Sequence, residues 1–147
     1  MRTFTRRSVL AAGTAVVALS GAPAVFAQAK PKLRFTTVAT EQDIRAESFK
    51  AFGEAVKDRY DFEPYFNGTL FKQGTELVAL QRGNVEMANL SPQDISKQIP
   101  AWSLLTAAYL FRDADHLQKT FAGPVGAEFK KMARDHLGVH ILTPVYF

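Results

Sequence analysis

The sequence predicts an α/β domain, an open sheet in which strands alternate with crossover helices. From Lys32 onward, short runs rich in β-branched and aromatic residues alternate with longer runs whose apolar residues recur every three or four positions. The joints between these runs carry capping and turn residues, notably Asp43, Asn67-Gly68, Gly83 and Ser91-Pro92. With 147 residues, 47% apolar and 22% charged, the chain can bury a core, and its composition excludes a disordered, collagenous or polytopic membrane protein.

Leu33 to Val38 reads as the first strand. Asp43 then caps a helix whose Phe49, Phe52, Val56 and Tyr60 share one stripe, with Lys50, Lys57, Asp58 and Arg59 off it. That stripe reads as core. Phe62 to Phe66 is a second, short strand, demoted toward an edge by Pro64 and stopped by Asn67-Gly68. Thr75 to Arg82 suits a helix with Leu77, Val78 and Leu80 inward and Gly83 just past its end. Val85 to Leu90 is the third strand, and Ser91-Pro92 opens another helix. Pro100-Ala101-Trp102 breaks the pattern, and the apolar run Leu104 to Phe111 has no clear period. Asp113 and Asp115 mark a helix start and Gly123-Pro124 another, with Val125, Phe129 and Met132 on the inner face of the last helix and Gly138 ending it. Val139 to Phe147 reads as a final strand. An apolar strand as a chain terminus predicts a fragment of a longer protein, because chain ends normally fray in water.

The net charge of +4 invites a nucleic-acid reading, which position removes. The first 27 residues hold Arg2, Arg6 and Arg7 and no acid, so the eighteen basic residues fall to fifteen against fourteen acids once they are set aside. No electrostatic footprint for nucleic acid remains. Residues 1–27 themselves have the layout of an export signal: a basic start, an uncharged Ala/Gly/Val stretch, and small residues allowing cleavage after Ala27 or Ala29. Arg6-Arg7 followed by Val9-Leu10 is similar to a twin-arginine signal, with the ordinary secretory route as the alternative. The nineteen uncharged residues from Val9 to Ala27 are also long enough for a membrane anchor, although Pro23 and the many small residues make a poor permanent span.

Standard catalytic constellations are missing from the sequence. It holds no Gly-rich dinucleotide fingerprint, phosphate loop, nucleophile elbow or zinc helix, and no cysteine. His136 and His140 have metal-pair spacing, but Gly138 between them should end the helix and put His140 on a strand. Asp113, Asp115 and His116 read as helix-start residues. No metal, cofactor or catalytic residue is therefore expected. In open α/β sheets ligands bind beyond the carboxyl ends of strands, and three such ends carry polar residues here: Thr40-Glu41-Gln42, Asn67-Gly68-Thr69, and Ser91-Pro92-Gln93-Asp94. A helix opening at Pro92 offers N–H groups to a carboxylate, and ordinary capping is the competing explanation for these residues.

This ordered set of segments resembles the periplasmic solute-binding proteins of TRAP (tripartite ATP-independent periplasmic) transporters, the DctP-like group. The resemblance rests on the export signal, the strand Leu33 to Val38, the helix Glu47 to Arg59, and Asn67-Gly68-Thr69-Leu70-Phe71 before Glu76-Leu77-Val78-Ala79-Leu80-Gln81-Arg82-Gly83. It continues through Val85-Glu86-Met87-Ala88 and Leu110-Phe111-Arg112-Asp113 to Leu137-Gly138-Val139, covering Lys32 to Phe147. It implies the N-terminal lobe (residues 30–147) of a two-lobed, non-enzymatic binder in which the second lobe is absent. Such a protein captures a small organic acid, a dicarboxylate or other carboxylate, in the periplasm and hands it to a membrane permease. The carboxylate-pairing Arg typical of that family would follow Phe147. By position, Ser91 and Gln93 would line the first-lobe side of the cleft, with the Val38 to Gln42 loop and Tyr146 nearby. An exported α/β enzyme, or a sensor of the same fold, is the alternative.

Overall fold

The structure, a computed structural model, describes residues 29–144. The expected export signal and Tyr146 lie outside the described residues. The elements run β1 (Lys32–Thr36), α1 (Ile44–Val56), β2 (Asp61–Tyr65), α2 (Glu76–Gln81), β3 (Met87–Ala88), α3 (Pro92–Ser96), a 3₁₀ helix (Pro100–Thr106), α4 (Ala114–Ala122), α5 (Pro124–Met132) and a π turn (Ala133–Leu137).

The three strands form one parallel sheet in the order β2-β1-β3. Lys32 pairs with Asp61 and Thr36 with Tyr65, while Phe35 pairs with Met87 and Thr36 with Ala88. The chain leaves β1 toward one side and later returns to its other side, so β1 is the point where strand order reverses. Pro64 sits where the sequence reading put it, on an edge strand. Asp61 N–H donates to the Pro31 carbonyl, and the Tyr65 carbonyl accepts from Thr37 N–H. Backbone groups alternate sides along a strand, so position 64 faces away from β1, where a missing N–H costs no ladder bond and blunts the edge.

The aromatic stripe of α1 packs on this sheet. Phe35 lies 4.6 Å from Phe49 and 6.0 Å from Phe62 between ring centroids, and Phe52 meets Phe62 edge-on at 5.4 Å. Gly53 permits that approach, since a Cβ there would stand 2.5 Å from the Phe62 ring. Tyr60 falls beyond the end of α1 and is exposed.

A second core is helical. Leu77 from α2 joins Ile95, Ile99, Trp102, Leu117, Phe121, Phe129, Ala133 and Leu137, with Trp102 edge-on to Phe129 at 5.1 Å. Asp113 caps α4 by accepting from His116 N–H at 2.7 Å. The turn into α5 is so close that a Cβ on Gly126 would lie 2.1 Å from the Phe121 carbonyl oxygen. Gly138, at φ 69°, closes the π turn in the left-handed conformation and ends the helical segment as expected.

Several expectations are corrected, among them Val125, which is exposed and not on the inner face of α5. The third strand pairs only over Met87–Ala88, and a single further bond from Asn89 N–H to the Thr36 carbonyl extends it. Val78 points outward at 38% exposure while Ala79 is buried, because so short a helix inserts only one narrow face. The run Leu104 to Phe111 holds the end of the 3₁₀ helix and then irregular chain with Tyr109 fully exposed at φ 60°. Residues 139–144 form no strand, so His140 is not on one either. Val139 N–H bonds back to the Ala133 carbonyl, and Val139 and Ile141 pack on the helical core. A strand needs an aligned partner, and here helix packing consumes the apolar side chains that suggested one.

Candidate functional site

The carboxyl ends of the three strands are brought together by the segment Asn67 to Thr75, which bridges the other two loops. At the exit of β1, Thr37 is wholly buried and its hydroxyl accepts from Ala39 N–H at 3.1 Å. That turn presents two carbonyls to the bridging segment: Thr37 accepts from Gly68 N–H and Ala39 from Asn67 N–H, both at 2.9 Å. Asn67 and Gly68 reach these bonds with successive left-handed conformations, φ 58° and 61°, which only a turn rich in Asn and Gly adopts at low cost. Beyond Gly68 the segment doubles back, so that a Cβ on Gly68 would lie 3.7 Å from both Lys72 Cα and Val38 Cγ1.

The other end of the segment meets α3. Gly74, at φ 85°, leaves open a space that a Cβ would fill at 3.3 Å from Lys97 Nζ and 3.5 Å from Asp94 Oδ1. The loop after β1, the loop after β2 and the start of α3 therefore share one edge. Thr40, Glu41, Gln42, Asn67 and Gln93 are exposed along it, and Ser91 is half-buried.

Electrostatics distinguish these positions. Ser91 accepts from Asp94 N–H at 3.2 Å and donates its hydroxyl to Asp94 Oδ2 at 2.8 Å, while Lys97 Nζ donates to Asp94 Oδ1 at 2.7 Å. The Lys97 ammonium, seconded by the Ser91 hydroxyl, holds the Asp94 carboxyl below its ordinary range against the opposing effect of burial. The start of α3, offered by the sequence to a ligand carboxylate, thus already holds one from its own first turn. Asp43 at the start of α1 is matched similarly. Its carboxylate accepts from Arg45 Nε, Nη2 and N–H at 2.8, 2.6 and 2.9 Å, which lowers its pKa from 3.8 to about 2.

Sequence reasoning named the two ends of this edge and missed its middle. Gly74 and Lys72 went unremarked, and Glu76 was read as part of a helix without its burial, although Lys-Gln-Gly-Thr before a helix is a turn signal that could have marked Gly74. Glu76 is nearly inaccessible, and its Oε2 has no hydrogen-bond partner among the described residues; the same holds for Thr36 Oγ1 at the end of β1.

A parallel sheet whose order reverses at β1, with polar loops gathered at that reversal, defines an α/β lobe of the solute-binding type. The model of the bacterial extracellular solute-binding protein family 7, DctP, matches residues 35–146, and the chain belongs to that family. Among curated proteins it is 28% identical over 130 residues to a solute-binding protein of Sulfitobacter sp. (strain NAS-14.1), covering 85% of this chain and 39% of that protein. It is 25% identical over 109 residues to the C4-dicarboxylate-binding protein DctB of Bacillus subtilis (strain 168), covering 71% of this chain and 31% of that one. Among solved structures, a TRAP periplasmic solute binding protein from Roseobacter denitrificans with bound 3-deoxy-D-manno-oct-2-ulosonic acid superposes with a TM-score of 0.74 at 32% identity, over 78% of this chain and 38% of that one. A relative from Sulfurospirillum deleyianum with bound succinate gives 0.62 at 27% identity, over 72% of this chain and 36% of that one. The chain spans about two fifths of the length of the first two curated relatives it matches.

Proposed function

We propose that this chain supplies the N-terminal lobe of an extracytoplasmic solute-binding protein that captures a small organic acid for a TRAP-type membrane permease. The observation that carries this reading is the gathering of three polar strand-end loops at the strand-order reversal of a lobe in the DctP family. Thr40, Glu41, Gln42, Asn67, Ser91 and Gln93 form the first-lobe wall of the ligand cleft in this reading. Amide and hydroxyl side chains both donate and accept, which suits a ligand carrying hydroxyl as well as carboxylate oxygens. The relatives with bound 3-deoxy-D-manno-oct-2-ulosonic acid and succinate support an acid as the ligand class. Binding draws two lobes together and shifts the population toward the closed form, which the permease reads. The protein acts in the periplasm, reached by the N-terminal signal, and returns its ligand unchanged.

Calorimetric titration of the exported protein, at the full length the cell makes, against a panel of sugar acids and dicarboxylates tests this. Saturable binding of at least one acid, recovered chemically intact, is the expected result. Turnover of the acid, or no binder across the panel, rejects the reading.

A further inference from the structure

We infer that Lys72 is the ligand-pairing cation of this lobe, donating from Nζ to a carboxylate of the bound acid; the inference rests on the solute-binding reading above. The cations near the shared edge of the strand-end loops include Arg45, Lys97, Lys50 and Lys72, of which Lys50 stands over the Phe66 ring, 6.0 Å from its centroid. Arg45 is held by the Asp43 carboxylate through two side-chain bonds, and Lys97 is held by Asp94. Lys72 is exposed and has no salt bridge among the described residues. Its main chain is nevertheless fixed. The Lys72 carbonyl accepts from Thr75 N–H at 3.0 Å and from the Thr75 hydroxyl at 2.7 Å, and its Cα packs against Gly68 beside Val38.

An ammonium on a pinned backbone with no internal counter-charge is placed to exchange water for a ligand anion without first breaking a salt bridge. Glu41, on the loop after β1, also forms no ion pair among the described residues. Lys72 and Glu41 are thus opposite charges without an ion pair among the described residues, an arrangement that suits an acid held with its carboxylate toward Lys72 and its hydroxyls toward Glu41.

The test is calorimetric titration of the exported full-length protein with succinate, galactonate and 3-deoxy-D-manno-oct-2-ulosonic acid. Lys72→Gln and Lys72→Met should weaken the preferred acid by roughly 10- to 100-fold, the span of a charge-assisted hydrogen bond. Lys72→Arg should stay within about tenfold of wild type, since it keeps the charge and loses only the geometry. Lys119→Gln, which removes an exposed charge on α4, should leave affinity unchanged. Raising salt should weaken wild type more than Lys72→Gln. If wild type binds an acid and both neutral variants bind it within about twofold of wild type, the pairing of about 1.5–3 kcal/mol is not made and the inference is overturned. If wild type binds none of the acids, the solute-binding reading fails first, a result distinguishable because it precedes any substitution.

Discussion

Single residues in this lobe divide into those fixed by sequence neighbours and those fixed by distant chain. Asp43, Ser91 with Pro92, and Gly138 were readable because a cap or a left-handed stop is decided within about four residues. Glu76 was not readable, since its burial depends on where α2 lies against the sheet. It presents a carboxyl oxygen without a hydrogen-bond partner in a nearly inaccessible position. Replacing a partnerless buried polar group by an apolar one of similar shape removes a desolvation penalty. Glu76→Leu should therefore raise stability by about 1–3 kcal/mol, read as a higher urea midpoint at unchanged slope. A lower midpoint would mean that the carboxyl is satisfied after all.

At the level of elements, two helix starts share one electrostatic device: an acid in or beside the first turn, matched by a cation two or three residues on. Asp43 with Arg45 opens α1, and Asp94 with Lys97 secures α3. Both acids are held below their ordinary values. A depressed carboxyl contributes stability that is complete above its unfolded pKa and is lost as pH falls through the folded one. For Asp43 that window runs from 3.8 down to about 2, so thermal stability should decline on acidification below about pH 4, and Asp43→Asn should flatten the decline. An unaltered pH profile in that variant would count against the Asp43–Arg45 pair.

Element type was mostly legible, and element extent less so. The apolar run Val85 to Leu90 suggested a full strand, yet only Met87–Ala88 pairs: β1 ends at Thr36 on one side, and on the other the Arg34 N–H donates to Glu86 Oε2 at 2.9 Å in place of a backbone acceptor. Val139 onward illustrates the opposite ambiguity. A short apolar run reads alike whether it pairs in a sheet or packs on helices, and here Val139 and Ile141 pack on helices. The middle of the candidate site was hidden for a related reason. Gly74 meets Asp94 and Lys97 some twenty residues away, a contact that no local rule encodes.

Across the whole molecule, an aromatic layer between α1 and the sheet and a helical core around Trp102 are linked through α2. Leu77 belongs to the helical core, and the helix that carries it leads into β3. Gln81 and Gln98 exchange amide hydrogen bonds at 3.1 Å each, tying α2 to the chain just after α3. Leu77→Ala should cost about 2–5 kcal/mol. If the two cores form one cooperative unit, emission from Trp102, the only tryptophan, and far-ultraviolet circular dichroism should still lose signal together. Separate transitions would show that α2 fails to couple them. The strand order has a consequence for how the molecule comes into being. β1 is first among the described strands and central in the sheet, so in a chain delivered N-terminus first it waits without neighbours until Asp61 and then Met87 arrive. The sheet is therefore assembled late and from long-range contacts, and the emerging segment stays open to holding factors until nearly sixty residues beyond its own start have followed it.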